Sequence, residues 1–112
     1  MSTPAEIFEK IAAAAAANPD KATEADAVFQ FNITGDNGGT FVLNMKKGTT
    51  DNFLTREPSS EAVATISLDG ADWTALVSGD LDPMQAFMGG KIKIDGDMTA
   101  AMKLPGLLKL AR

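Results

Sequence analysis

The stretch from Ser78 to Leu104, SGDLDPMQAFMGGKIKIDGDMTAAMKL, constrains the fold of this 112-residue chain more than any other. Asp82 is a good N-cap, Pro83 suits a first helical position, and Gln85 falls where a capping-box partner sits. A short helix therefore starts here, with Met84, Phe87 and Met88 on one side of its turn. Gly89 and Gly90 end it, because glycine enters the left-handed exit without steric cost. In Lys91-Ile92-Lys93-Ile94-Asp95 the apolar residues alternate strictly, which predicts a strand with both isoleucines inward and the charges in water. Gly96-Asp97 turns the chain, and Met98 opens a second apolar helix. Helix, strand and helix in so short a span imply a compact α+β unit.

Upstream, Thr3-Pro4-Ala5-Glu6 reads as a helix start, and Ile7, Phe8, Ile11 and Ala15 form an apolar stripe. A stripe at helical spacing is ordinarily core packed on a sheet, and it is read so here. Asn18-Pro19 closes the helix, and polar Asp20–Asp26 reads as loop. Ala27–Thr34 alternates, with Phe29, Phe31 and Ile33 on one face and Gln30 and Asn32 on the other. Gly35–Gly39 is a hairpin turn, and Thr40–Lys46 returns with Phe41, Leu43 and Met45 on one face. A weaker strand follows around Asn52–Arg56. Ala62–Leu68 then sets Ala64, Ile66 and Leu68 opposite Val63, Thr65 and Ser67. Asp69–Gly79 reads as a helix with Trp73, Leu76 and Val77 apolar. The fold class expected is therefore α+β, a five-stranded, mainly antiparallel sheet with about five helices on one face.

The last expected helix, Asp97 to about Leu110, is apolar over more than a narrow stripe and is interrupted by Pro105-Gly106. Two readings stand for it: a methionine-rich flap over an apolar space, or a helix that closes an ordinary core.

Composition removes whole classes of chemistry. The chain has no cysteine, histidine or tyrosine. Thiol nucleophiles, the usual near-neutral general base and the commonest transition-metal ligand are all missing, so no enzyme activity, cofactor or metal is expected. Asp69/Asp72 and Asp80/Asp82 flank helix starts and read as caps rather than as acid–base pairs. Gly35–Gly39 lacks the spacing of a phosphate loop, and Asp36-Asn37-Gly38 lacks the remaining positions of a calcium loop. The net charge of −5 argues against nucleic acid. It is unevenly spread: residues 1–90 carry five Lys/Arg against thirteen Asp/Glu, and residues 91–112 five against two. At 45 % apolar and 22 % charged, residues 1–112 read as one soluble domain without a membrane-spanning run. Glu6, Glu9 and Lys10 ahead of the alanine tract argue against a secretory signal, and Leu110-Ala111-Arg112 is not the serine-lysine-leucine peroxisomal address. A cytoplasmic setting is expected.

Read as a string, the chain resembles the sterol carrier protein type 2 family of small lipid-binding domains. The matching elements are Leu76-Val77-Ser78-Gly79, Asp82-Pro83, Gln85-Ala86-Phe87-Met88, Gly90-Lys91-Ile92-Lys93-Ile94, Gly96 and Ala101-Met102-Lys103-Leu104. Phe29-Gln30-Phe31-Asn32-Ile33 and Gly38-Gly39 extend the likeness upstream. The resemblance implies helices on one face of the sheet and an apolar tunnel between the two layers. It also implies a fatty acid, fatty acyl-CoA or sterol as ligand, and it favours the flap reading of the last helix. Lining is expected from Phe41 and Leu43 of the sheet, Trp73 and Leu76, and Phe87 and Met88. The final segment would add Met98, Met102, Leu104, Leu107 and Leu108. Phe29, Phe31 and Ile33 are the alternates should the other strand face turn inward, and Trp73 serves equally well as plain core.

Lys91, Lys93, Lys103, Lys109 and Arg112 read either as a basic rim for a head group or an anionic membrane, or as a solvated surface. The expected partners are thus a small-molecule lipid and, transiently, a membrane surface, with no nucleic acid and the chain a monomer. The alternative is an accessory interaction domain with a vestigial cavity that docks on a lipid-metabolising enzyme.

Overall fold

Helix α1 (Pro4–Ala17) starts as its capping box dictates: Thr3 Oγ1 accepts from the Glu6 N–H at 3.3 Å, and Glu6 Oε2 accepts from the Thr3 N–H at 3.4 Å. The computed structural model describes residues 3–35, 38–49, 53–58 and 60–97. Pro4, Ile7, Phe8, Ile11 and Ala15 form the buried side of α1. Asn18 closes α1 through its N–H to the Ala14 and Ala15 carbonyls, yet the helical path continues. Pro19 opens a single turn, α2 (Pro19–Ala22), and a 3-10 turn follows over Thr23–Ala25. The segment Asp20–Asp26, expected as loop, is therefore helical as far as residue 25. A first helical residue has no intrahelical use for its N–H, so the Asn18-Pro19 pair that stops one helix starts the next. Asp26 ends the turn in the left-handed region at φ 46°, and its carboxylate accepts from the Lys47 N–H at 3.0 Å.

Five strands follow from the alternating runs: β1 (Ala27–Thr34), β2 (Gly39–Met45), β3 (Leu54–Thr55), β4 (Ala64–Asp69) and β5 (Ile92–Gly96). They make one sheet in the order β3-β2-β1-β4-β5, antiparallel except where β1 pairs β4 in parallel. The register lays the apolar side chains in rows on one face. Leu54, Leu43, Phe29 and Ala64 form one row, ending at Gly96. Phe41, Phe31, Ile66 and Ile94 form the next, and Ile33, Leu68 and Ile92 a third. Phe29, Phe31 and Ile33 thus share the face of Phe41 and Leu43 and join them rather than replace them. The opposite face carries Gln30, Asn32, Thr40, Thr65 and Ser67, all half-buried. There Gln30 Nε2 donates to Asn32 Oδ1 at 3.3 Å.

The helices cover the apolar face. Helix α3 (Gly70–Ser78) begins at Asp69, whose Oδ2 accepts from the Ala71 N–H at 3.0 Å, and ends at Gly79 with φ 91°. Helix α4 (Pro83–Met88) begins at Asp82, whose Oδ1 accepts from the N–H groups of Met84 and Gln85 at 2.8 and 3.4 Å. Helix α1 packs on β2, β3 and α3; α3 packs on β1 and β4; α4 packs on β5. Removing the cap with Asp82→Ala should cost about 1 kcal/mol, read as a lower urea midpoint at unchanged m-value. A cost near zero would mean that α4 is held by packing alone.

One expectation for α4 is corrected. Its apolar side was to be Met84, Phe87 and Met88, but the residue it buries is Ala86, while Met84 and Met88 are 59 % and 82 % exposed. The Lys91 N–H donates to the Ala86 carbonyl at 2.8 Å, closing the C-terminal end of α4 just before β5, on which α4 packs. A six-residue helix completes less than two turns, too few for its apolar spacing to decide which side packs.

Candidate functional site

The apolar rows of the sheet and the inward sides of α1 and α3 meet in a layer built around Phe8. Its ring stacks on Trp73 with centroids 4.4 Å apart and planes 8° from parallel, and on Phe41 at 4.3 Å and 11°. Phe31 tilts against both Phe8 and Trp73 at 5.2 Å. One helix, one strand pair and a second helix are thereby joined through aromatic faces, each pair worth about 0.5–1.5 kcal/mol beyond its buried area. Continuing the β2–β3 register by one residue puts Arg56 beside Phe41, and its guanidinium carbon lies 4.2 Å from that ring's centroid. Arg56 is exposed, so the stack runs from a buried indole out to a cation at the solvent edge.

The expected lining residues divide into three groups. Phe41, Leu43, Trp73 and Leu76 are fully buried in this one cluster. Phe87 is half-buried on α4, as is Ile94 on the edge strand β5. Met88 points to solvent instead of into the layer, for the reason given for α4. Met98, Met102, Leu104, Leu107 and Leu108 lie outside the described residues, as do Lys103, Lys109 and Arg112, so the interrupted helix expected there falls outside them too. Lys91 and Lys93 are exposed.

Two residues enter the site that spacing alone did not nominate. Phe8 was visible as one member of an apolar stripe, but nothing local tells that it lies between Phe41 and Trp73. Arg56 follows Leu54 at strand period, and that period is the signal that places it on the apolar side. The carboxylates have structural roles: Asp69 and Asp82 cap helices, and Asp80 accepts from Ser78 Oγ at 3.1 Å. Among the described residues no group of three or more His, Cys, Asp or Glu is placed to hold a metal ion, and no helix is long and apolar enough to cross a membrane.

Comparison with known proteins bears on this layer. The chain is similar to hydroxysteroid dehydrogenase-like protein 2 of Bos taurus, 44 % identical over 89 residues, which are 79 % of this chain and 20 % of that protein. It thus spans about a fifth of the length of such relatives. Among solved structures it is similar to sterol carrier protein 2 from Yarrowia lipolytica in its apo form, with a TM-score of 0.75 and 25 % identity over 95 % of this chain and 89 % of that one. It is also similar to the sterol carrier protein domain 2 of Helicoverpa armigera, with a TM-score of 0.73 and 30 % identity over 93 % and 84 % of the two chains. The model of the SCP-2 sterol transfer family matches residues 8–109. With that match over nearly its whole length, and with this sheet and helix layer, the chain belongs to the SCP-2 sterol transfer family.

Proposed function

We propose that this chain is a non-catalytic lipid carrier, one domain over residues 1–112, which takes a fatty acid, fatty acyl-CoA or sterol against the apolar face of its sheet. The observation that carries the reading is the inner face itself: three rows of apolar side chains, one of which falls from Leu43 and Phe29 to Ala64 and Gly96. At the β5 edge Ile94 of the sheet, and Phe87 of α4, which packs on β5, are only half-buried. An alkyl tail would lie over the small side chains at that end of the row. The energetics suit such a ligand, since a dozen buried methylenes give on the order of 10 kcal/mol gross at about 0.8 kcal/mol each. Association consumes several of these and leaves micromolar or tighter binding. A tail needs no hydrogen-bond pattern, so broad specificity follows. Arg56, at the exposed end of the aromatic stack, and the exposed Lys91 and Lys93 offer cations for a head group.

A fluorescent fatty acid tests the reading directly. We expect saturable 1:1 binding at micromolar or lower Kd, displaced by unlabelled fatty acid. Met102→Asp should weaken that binding at least tenfold while leaving the far-UV circular dichroism unchanged; equal loss of both would make Met102 plain core.

A second reading is consistent with the length comparison. A domain like this one makes up about a fifth of dehydrogenase-like proteins, and a chain consisting of that part would dock on a partner enzyme with its cavity vestigial. Absence of displaceable binding supports this second reading over the first.

A further inference from the structure

The chain has one tryptophan, and its polar atom has no use in the packing described so far. Trp73 is 1 % exposed on α3, stacked on Phe8 and flanked by Phe31. Its Nε1–H, a donor with no acceptor capacity of its own, meets no partner among the described residues. A buried indole N–H ordinarily finds an acceptor, and a donor stranded away from water weakens the fold without return. Phenylalanine at this position would supply a stacked ring and no stranded donor.

We propose that Trp73 is a ligand-binding donor: its Nε1–H takes a neutral oxygen of the bound lipid, a hydroxyl or a carbonyl, at about 2.9–3.0 Å. This rests on the lipid-carrier reading and narrows it. Lipids with such an oxygen on their buried part bind better than hydrocarbon of the same shape. The neutrality of the oxygen follows from the surroundings. The rings around the indole are those of Phe8 and Phe31, and the cation of the stack, Arg56, lies beyond both Phe8 and Phe41. Among the described residues the cation of the stack thus stands away from Nε1, and a carboxylate buried there without its charge is far costlier than a neutral oxygen that receives one hydrogen bond. A carboxylate head would instead lie toward solvent, leaving its tail in the layer.

The test uses two matched pairs of ligands, 1-hexadecanol with hexadecane and cholestanol with cholestane, added to uniformly ¹⁵N-labelled protein. One tryptophan gives one indole N–H resonance. In at least one pair the alcohol should bind about tenfold tighter than its hydrocarbon. It should also move the indole proton downfield and slow its exchange with solvent, and the hydrocarbon should do neither. The responding pair tells whether a straight-chain or a sterol lipid supplies the oxygen. Trp73→Phe keeps a stacked ring and should equalise the affinities within that pair. Equal affinities in the unsubstituted protein, or an indole resonance that responds alike to alcohol and hydrocarbon, overturn the proposal whether or not the variant folds. If all four ligands bind equally, the carrier reading stands and the donor role alone falls. If none binds, both fall.

Discussion

Phe8→Ala should remove about 3–5 kcal/mol of stability, the range for deleting a fully buried aromatic ring. A domain of this size has roughly 5–15 kcal/mol in all, so the variant should be marginal at 37 °C. The physical reason is position. Phe8 is the middle ring between Trp73 and Phe41 and also meets Phe31, so one truncation opens a cavity and ends three aromatic contacts. It also loosens α1 from β2 and α3, which α1 packs against. Urea unfolding followed by tryptophan fluorescence checks this. Because Trp73 stacks on Phe8, the native emission should shift as well as the midpoint. A loss below about 1 kcal/mol, with emission unchanged, would show that the stack is not what holds α1 on the sheet.

Gly96→Ala should be nearly as damaging although it adds a single methyl group. Gly96 has φ +104°, a conformation that side chains rarely adopt, and a Cβ there would lie 2.5 Å from the Val63 carbonyl oxygen and 3.1 Å from Ala64 Cα. Both neighbours are backbone of the paired strand, so relief requires β4 and β5 to separate. They are held there by the Ala64–Gly96 pairing and by the Asp97 N–H donating to the Val63 carbonyl at 2.9 Å. We expect about 2–4 kcal/mol from strain and displacement together. Gly48→Ala is the control, since Gly48 has φ +90° with nothing within 4 Å of its added Cβ. It should cost about 1–2 kcal/mol, the conformational part alone. Equal costs at the two positions would show that the close approach of β5 to β4 is unimportant.

How far the fold was legible depended on the range of the interaction. Side-chain faces in β1, β2, β4 and β5 followed from period-two alternation, because a buried face imposes it on every second residue. The caps at Thr3, Asp69 and Asp82 followed from local chemistry, since a cap is made within three residues. Of the weak strand expected over Asn52–Arg56, Leu54–Thr55 is strand among the described residues. Strand order and the parallel β1–β4 pairing were not legible, because the connection from β3 to β4 carries no periodicity. Val28 and Val42 stand on the polar face yet are buried. They lie on β1 and β2, each flanked by two other strands. Of the candidate site, Phe41, Leu43, Trp73 and Leu76 were found by being large and apolar. Neither the stacking partner of Trp73 nor its stranded N–H can be read from spacing, because both depend on which helix reaches which strand.

A lipid carrier of the kind proposed holds an alkyl tail in its apolar layer. Native mass spectrometry of the protein as purified from cells, then delipidated and offered palmitate, tests it most directly. A 1:1 adduct of lipid mass is expected in the first spectrum, lost on delipidation and restored by palmitate. A protein that flies bare in every spectrum, with its fold intact by circular dichroism, contradicts it.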